Sequence, residues 1–276
     1  MCLQNLKTEI ENFLWPLARE GVLLGFSGGT DSALLAAILA ELSRKLELTL
    51  SPFLAIANSP LQNPTEIRAA QNLAQQLQIP YKVFELDTLS IEAVKNNHKE
   101  RCYHCKKSIF ETFAAYAKKN GLAHMIDGTN IDDTKVYRPG RRALAELGVV
   151  SPFVELGISK QQIRNLSKEM NLCTWQKPAT PCLATRFPYN VVLTQPLISM
   201  VAEAENWMHS FLPNVLNLRV RCLFKNGIHG KIEVDFHNVP LMNQKLQIIQ
   251  QEFQRLGFNS VSVDQEGFSS GKMDRT

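Results

Sequence analysis

Two sets of residues in this chain have the types and spacing that chemistry needs. The first is Ser27-Gly28-Gly29-Thr30-Asp31-Ser32, placed between a short apolar run, Gly21–Phe26, and a helical stretch from Ser32 to Leu46. Two glycines let the backbone approach a ligand closely. The start of the following helix offers unpaired N–H groups and the positive end of its dipole. Ser27 and Ser32 add hydroxyls. The Asp31 carboxylate would repel an anion there unless Mg²⁺ lies between them. The segment has neither the G-x-x-x-x-G-K-[ST] spacing of a P-loop nor the G-x-G-x-x-G of a dinucleotide fold. Its plainer reading is a glycine turn with a serine helix cap.

The second set is thiol-based. Cys102-Tyr103-His104-Cys105-Lys106-Lys107 is a C-x-x-C at the start of a helix, and Cys182 lies far downstream in Lys177–Arg186. A C-x-x-C alone could be a redox pair or half of a zinc site, with His98 available as a further zinc ligand. Three thiolates could instead hold a [4Fe–4S] cluster with one iron open for an extra sulfide, and unrelated thiols remain the plain alternative. Cys2, Cys173 and Cys222 stand alone, and lone cysteines are usually small buried hydrophobes. Lys106 could meet a phosphate or simply complement helix charge. Asp127 closes a strand pattern and so belongs to the ligand-bearing edge of a sheet. Arg219 and Arg221 alternate along a strand and share a face, as surface charge or as a phosphate clamp.

These groups need a frame to hold them. Strand-like segments at Gly21–Phe26, Leu50–Ala57, Tyr81–Leu86, His124–Asp127 and Val149–Val154 alternate with helical stretches at Ser32–Leu46, Pro64–Leu77, Lys106–Lys119 and Ser159–Met170. That alternation predicts an α/β fold with a parallel sheet. From about Tyr189 the order becomes helix (Gln195–Phe211), strands (Asn217–Phe224, Lys231–Phe236), helix (Leu241–Leu256) and strand (Ser260–Val263), which predicts a smaller α+β domain. The expected division is residues 1–188 and 189–276, with the proline-containing segment 176–189 as an active-site linker.

Composition narrows the class. The chain has 276 residues, 45% of them apolar and 20% charged, which excludes a disordered or fibrous protein. No apolar stretch is long enough to cross a membrane as a helix. The first twenty residues carry acidic side chains among their apolar ones, unlike a secretory signal, so a cytoplasmic protein is expected. The net charge of +4 is mild for a nucleic-acid binder, and cysteines in such a chain point to metal or catalytic work before disulfides.

The S-G-G-x-D-S loop between strand and helix resembles the PP-loop of the ATP pyrophosphatase superfamily. That resemblance implies cleavage of ATP between its α- and β-phosphates, transfer of AMP to a substrate oxygen and departure of pyrophosphate. Further segments carry the resemblance to the LarE family of sulfur transferases: Asp127–Asn130, Val136–Gly140, Cys182–Tyr189, Leu218–Arg221 and Gly267–Met273. It covers nearly the whole chain. It implies an ATP-dependent enzyme of nickel-pincer cofactor synthesis, which adenylates a carboxylate of pyridinium-3,5-biscarboxylic acid mononucleotide and replaces oxygen by sulfur.

The family has two sulfur sources, a single sacrificial linker cysteine or a [4Fe–4S] cluster on three cysteines. This chain is similar to the second type, because Cys102 and Cys105 accompany Cys182 and because Pro181 stands where the sacrificial cysteine would be. By the same resemblance Ser27, Gly28, Gly29, Asp31, Ser32, Lys106, Asp127 and Gly128 belong to the ATP–Mg²⁺ site. Asp31, Cys182 and Arg186 would act in catalysis, with Thr185 beside Arg186. Arg219 and Arg221 would contact phosphate, and Glu205 and Glu233 a divalent metal. A homohexamer and an external sulfide source are implied too.

Other functions compete. A tRNA thiolation enzyme would use the same loop and cluster, but would normally show a basic stripe. An amidating ligase resembling NAD or GMP synthetase would need no cysteines. A nucleotide-binding regulator would release no pyrophosphate.

Overall fold

The structure, a computed structural model, describes residues 3–46, 50–224 and 226–269. Cys2 and residues 270–273 of the closing glycine-rich segment lie outside the described residues. The chain forms two compact units, residues 1–91 with 100–179, and residues 92–99 with 180–276.

The first unit is built on a parallel sheet in the order β3-β2-β1-β4. Its strands are β1 (Val22–Gly25), β2 (Phe53–Asn58), β3 (Tyr81–Glu85) and β4 (His124–Ile126). Val22, Leu23 and Leu24 are all buried, as expected for a central strand covered on both faces. Successive side chains point to opposite faces. Val22 and Leu24 join a core with α1 (Leu3–Arg19), α2 (Thr30–Leu46), α3 (Pro64–Leu77) and α8 (Lys160–Glu169). Leu23 faces the other way, into Phe110 and Phe113 of α5 (Arg101–Lys119). The chain leaves β1 toward β2 and β3, then returns to place β4 on the other side of β1. The order therefore reverses between β1 and β4, and such a switch point opens a crevice at the carboxyl ends of the strands.

Two expectations change here. The segment Val149–Val154 is not a fifth strand: after α6 (Gly140–Glu146) only Val150 bridges Ile126, and Pro152 then begins the short helix α7 (Pro152–Glu155). Proline donates no ladder hydrogen bond and suits the first turn of a helix. Helix α5 begins at Arg101 rather than Lys106, which brings Cys102 and Cys105 into its opening turns.

The second unit follows the expected order. Short helix α4 (Glu92–Lys95), contributed from earlier in the chain, joins α9 (Gln195–Phe211), β5 (Leu218–Phe224), β6 (Ile228–Val234), α10 (Val239–Leu256) and β7 (Ser260–Val263). Strands β5 and β6 pair antiparallel, β6 and β7 parallel. Val220, Cys222, Ile232, Val234, Val261 and Val263 are buried. The alternate positions carry Arg219, Arg221, Lys231 and Glu233, with Arg219 opposite Glu233. Buried Asn97 ties residues 92–99 to this unit: its Nδ2 donates to the carbonyls of Phe187 (3.2 Å) and Pro188 (2.8 Å).

Candidate active site

The loop 26–29 leaves β1 at the switch point and leads straight into α2. Gly28 has φ +66°, and a Cβ there would lie 2.9 Å from the Ala70 backbone, so only glycine fits. The hydroxyls close the turn: Ser27 and Ser32 oxygens are 3.2 Å apart, and Gly29 N–H points to Ser27 Oγ at 3.3 Å. The chain after β4 packs against the same helix start. A Cβ on Gly128 would fall 2.9 Å from Ser32 N and 3.1 Å from Asp31 Cβ. The backbones of two loops thus frame the first turn of α2, with N–H groups and a helix dipole available to an anion.

Asp31 stands in that first turn. Its Oδ2 receives the Lys160 ammonium at 2.6 Å, while its Oδ1 is buried without a hydrogen-bond partner. Burial raises its pKa above the usual carboxylate range, and Lys160 works in the opposite direction. An unpartnered carboxylate oxygen beside a phosphate-type loop suits a hard divalent cation such as Mg²⁺. Lys160 itself begins α8, whose start is fixed by a capping box between Ser159 and Gln162.

Asp127, at the end of β4, works as a hub. It accepts from Thr129 Oγ1 (2.5 Å), Thr129 N (3.2 Å), Ser151 Oγ (2.6 Å) and Lys106 Nζ (3.3 Å). Lys106 is therefore neither free nor a helix-charge complement; it is the counter-ion of Asp127.

Cys102, Cys105 and Cys182 are cysteines of intermediate exposure, none of them in a disulfide. The first two stand one turn apart at the start of α5, in the first unit; Cys182 belongs to the second and directly precedes the helical turn Leu183–Arg186. Among the described residues no three His, Cys, Asp or Glu side chains are gathered as a metal-binding group. Three thiols are nonetheless the soft donor set that iron–sulfur clusters take. Cys222 is buried, with its thiol pushed up to about 12 by burial, as a core hydrophobe should be. Cys173 is exposed.

In the second unit Arg186, Glu205, Arg221 and Glu233, all expected at the site, form one network through Thr185. Arg186 is buried and grips Glu205 through two bonds, Nε–Oε1 at 2.7 Å and Nη2–Oε2 at 3.0 Å. Its Nη1 holds Pro181 O and Thr185 Oγ1. Glu205 also accepts from Val220 N at 2.9 Å. Arg221 pairs with Glu233 at 3.0 Å and donates to the Thr185 carbonyl. Arg186, expected in catalysis, has its guanidinium engaged within the unit. Glu205 and Glu233, expected on a metal, have their carboxylates occupied by arginine.

Arg219 differs. Among the described residues it has no ion-pair partner; its guanidinium lies over the Phe268 ring, 4.3 Å from the centroid. Burial first, then Arg186 and Arg221, bring its pKa down to about 10. It is still a cation at neutral pH, held in an environment that favours an arriving anion.

Sequence reasoning missed Lys160, Ser151 and Lys177. Lys177 reaches Gly28 O at 3.3 Å and Glu66 at 2.6 Å. None of the three falls in a recognisable spacing with the loop; the sheet topology brings them together. Ser159, the first residue of the helical stretch to Met170, was the nearest signal to Lys160.

Residues 2–125 match the family described as NAD synthase. Along nearly its whole length the chain is similar to pyridinium-3,5-bisthiocarboxylic acid mononucleotide synthase of Lactiplantibacillus plantarum, 33% identical over 256 residues, 92% of this chain and 89% of that protein. Two uncharacterised proteins match as fully. One, of Synechocystis, is 33% identical over 98% of each chain. The other, of Methanocaldococcus jannaschii, is 30% identical over 96% of this chain and 95% of its own. The NAD synthase match ends within the first unit, whereas the synthase match continues through the second. No described helix is long and apolar enough to cross a membrane.

Proposed function

From the premise that the chain belongs to the family of pyridinium-3,5-bisthiocarboxylic acid mononucleotide synthases, the LarE family, we propose that it thiolates a carboxylate of a small pyridinium mononucleotide at the expense of ATP. The observation that carries the ATP half is Asp31, whose buried Oδ1 lacks a partner at the mouth of a glycine loop on a sheet switch point. Asp31 would hold Mg²⁺, which spreads the charge of the leaving pyrophosphate. The loop amides around Gly28 and Gly29 and the hydroxyls of Ser27 and Ser32 grip the phosphate chain, with their dipoles already oriented. With a metal on Asp31, Lys160, now 2.6 Å from its Oδ2, would be free to turn its charge to the phosphates.

The substrate carboxylate attacks the α-phosphorus, the α–β bridging bond breaks, and pyrophosphate departs. A sulfur nucleophile then adds to the adenylated carbon, the C–O bond to AMP breaks, and a thiocarboxylate remains. Arg219 receives the phosphate of the mononucleotide, beside Arg221. Arg186, Glu205 and Glu233 hold that arginine face in shape.

For the sulfur we propose Cys102, Cys105 and Cys182 as the ligands of a [4Fe–4S] cluster, which when bound supplies an iron that can carry an external sulfide. The support is the donor set, two thiols one turn apart and a third in the linker. The assembly is proposed to be a homo-oligomer, by analogy with the family. Sacrifice of Cys182 as donor is the competing source, and the cysteine variants discussed below separate the two.

The test of the ATP half is product identity. With the acceptor present, ATP should yield AMP and pyrophosphate; ADP and inorganic phosphate as sole products would remove the reading.

A further inference from the structure

The segment that leads to Cys182 is fastened at two points to the Ser27–Ser32 segment and at others to α8 and α3, all within the first unit. Thr30 Oγ1, in the first turn of α2, donates to Thr174 O at 2.8 Å, and this bond is buried. Arg164 of α8 holds the same segment as well, with Nη1 on Trp175 O at 2.8 Å and Nη2 on Lys177 O at 3.0 Å. The Lys177 side chain then extends to the loop, where its ammonium lies between Gly28 O (3.3 Å) and the Glu66 carboxylate (2.6 Å). Glu66 sits in the first turn of α3.

The contact with Gly28 has a specific consequence. Gly28 C=O and Gly29 N–H belong to one trans peptide unit and point in opposite directions. A cation that fixes the carbonyl fixes the amide as well. That amide makes only a 3.3 Å, solvent-exposed contact with Ser27 Oγ, so it is open to a phosphate oxygen. Gly28 does not supply the constraint itself, because without a Cβ glycine takes positive and negative φ about equally readily. The neighbouring Ala70 wall limits which way the loop can move.

We infer that Lys177 is a positioning residue for nucleotide binding: it holds the Gly28–Gly29 peptide with its N–H toward the phosphates, and thereby links the loop to the segment running on to Cys182. The inference rests on the reading of the loop as an ATP site. A preset amide binds the ground state and the transition state alike, so its loss acts on affinity rather than on the chemical step.

The experiment is calorimetric titration of the full chain with Mg²⁺ and α,β-methylene-ATP, which is not cleaved between those phosphates, alongside steady-state pyrophosphate release. Lys177→Met should weaken binding by about tenfold, the scale of one charge-assisted hydrogen bond. KM for ATP should rise to match while kcat stays within about twofold. Lys177→Arg keeps charge and donors and should recover binding to within about threefold. Should Lys177→Met fail to fold, Glu66→Gln removes the partner that orients the ammonium and should weaken binding by about threefold. Unchanged affinity in the folded Lys177 or Glu66 variant overturns the inference, as does a fall in kcat at unchanged KM. A wild-type chain that binds no nucleotide at all would instead overturn the ATP reading beneath it.

Discussion

The ammonium of Lys160 lies 2.6 Å from Oδ2 of Asp31, although 129 residues separate them in the chain. The other oxygen of the same carboxylate is buried and unpartnered. One side chain thus carries a counter-ion on one oxygen and an open coordination position on the other. A metal–phosphate ligand would complete the second and compete for the first.

Asp31→Asn should separate stability from function. Burial raises the folded pKa of Asp31 above its ordinary value of 3.8. The folded state therefore binds the proton more tightly than the unfolded state, and stability falls as pH rises from 3.8 through the folded pKa. Above that window the charge costs stability, and asparagine removes it. Thermal unfolding of Asp31→Asn should show a midpoint equal to or above wild type at neutral pH, with the advantage shrinking toward pH 3.8. Pyrophosphate release should drop by about 10²-fold or more, since a metal-linked charge is lost at the transition state. A midpoint well below wild type at neutral pH, or a normal rate, would contradict this.

Lys160→Met should move the pH profile. Lys160 is the chief influence lowering the Asp31 pKa against burial. Without it, Asp31 protonates at higher pH, and the acid limb of kcat/KM should shift upward. A profile that loses amplitude but keeps its acid limb in place would assign Lys160 to phosphate contact alone.

Much of this site was legible in the residues. The loop Ser27–Ser32, its position between a strand and a helix, and Asp127 at a strand end needed only local pattern and glycine chemistry. The C-terminal order of elements was equally readable, because Gln195–Phe211 and Ser260–Val263 have clean periodicity and strong flanking breaks. The partners were not legible. Lys160 and Lys177 reach the loop only because β4 returns beside β1 and carries the later helices with it. Val150 reads as strand from its apolar neighbours, and the ladder stops there because of Pro152. The attachment of residues 92–99 to the second unit rests on Asn97 meeting Phe187 and Pro188, a contact that no local pattern announces.

Arg186 and Glu205 should behave as a buried pair. Their side chains are 2% and 5% exposed, so Arg186→Ala leaves an uncompensated carboxylate and should cost about 3–5 kcal/mol in denaturant unfolding. Adding Glu205→Ala should recover part of that loss, giving a double-mutant coupling of at least about 1 kcal/mol. Additive losses would show that the pair is not coupled.

The cysteines divide the two sulfur sources. Cys102→Ala, Cys105→Ala and Cys182→Ala should each abolish iron and labile sulfide in anaerobically purified protein and stop thiolation, while pyrophosphate release persists. Inactivity of Cys182→Ala alone, with Cys182 lighter by one H₂S in the wild-type chain after reaction, would assign the sulfur to that residue.

The most direct measurement of the central claim is the yield of thiolated acceptor per chain. The chain, incubated anaerobically with ATP, Mg²⁺, sulfide and pyridinium-3,5-biscarboxylic acid mononucleotide, is sampled over time by mass spectrometry. Sulfur-for-oxygen exchange in the acceptor should keep step with AMP and pyrophosphate, and should exceed one event per chain. AMP and pyrophosphate formed with no sulfur in the acceptor would contradict the account.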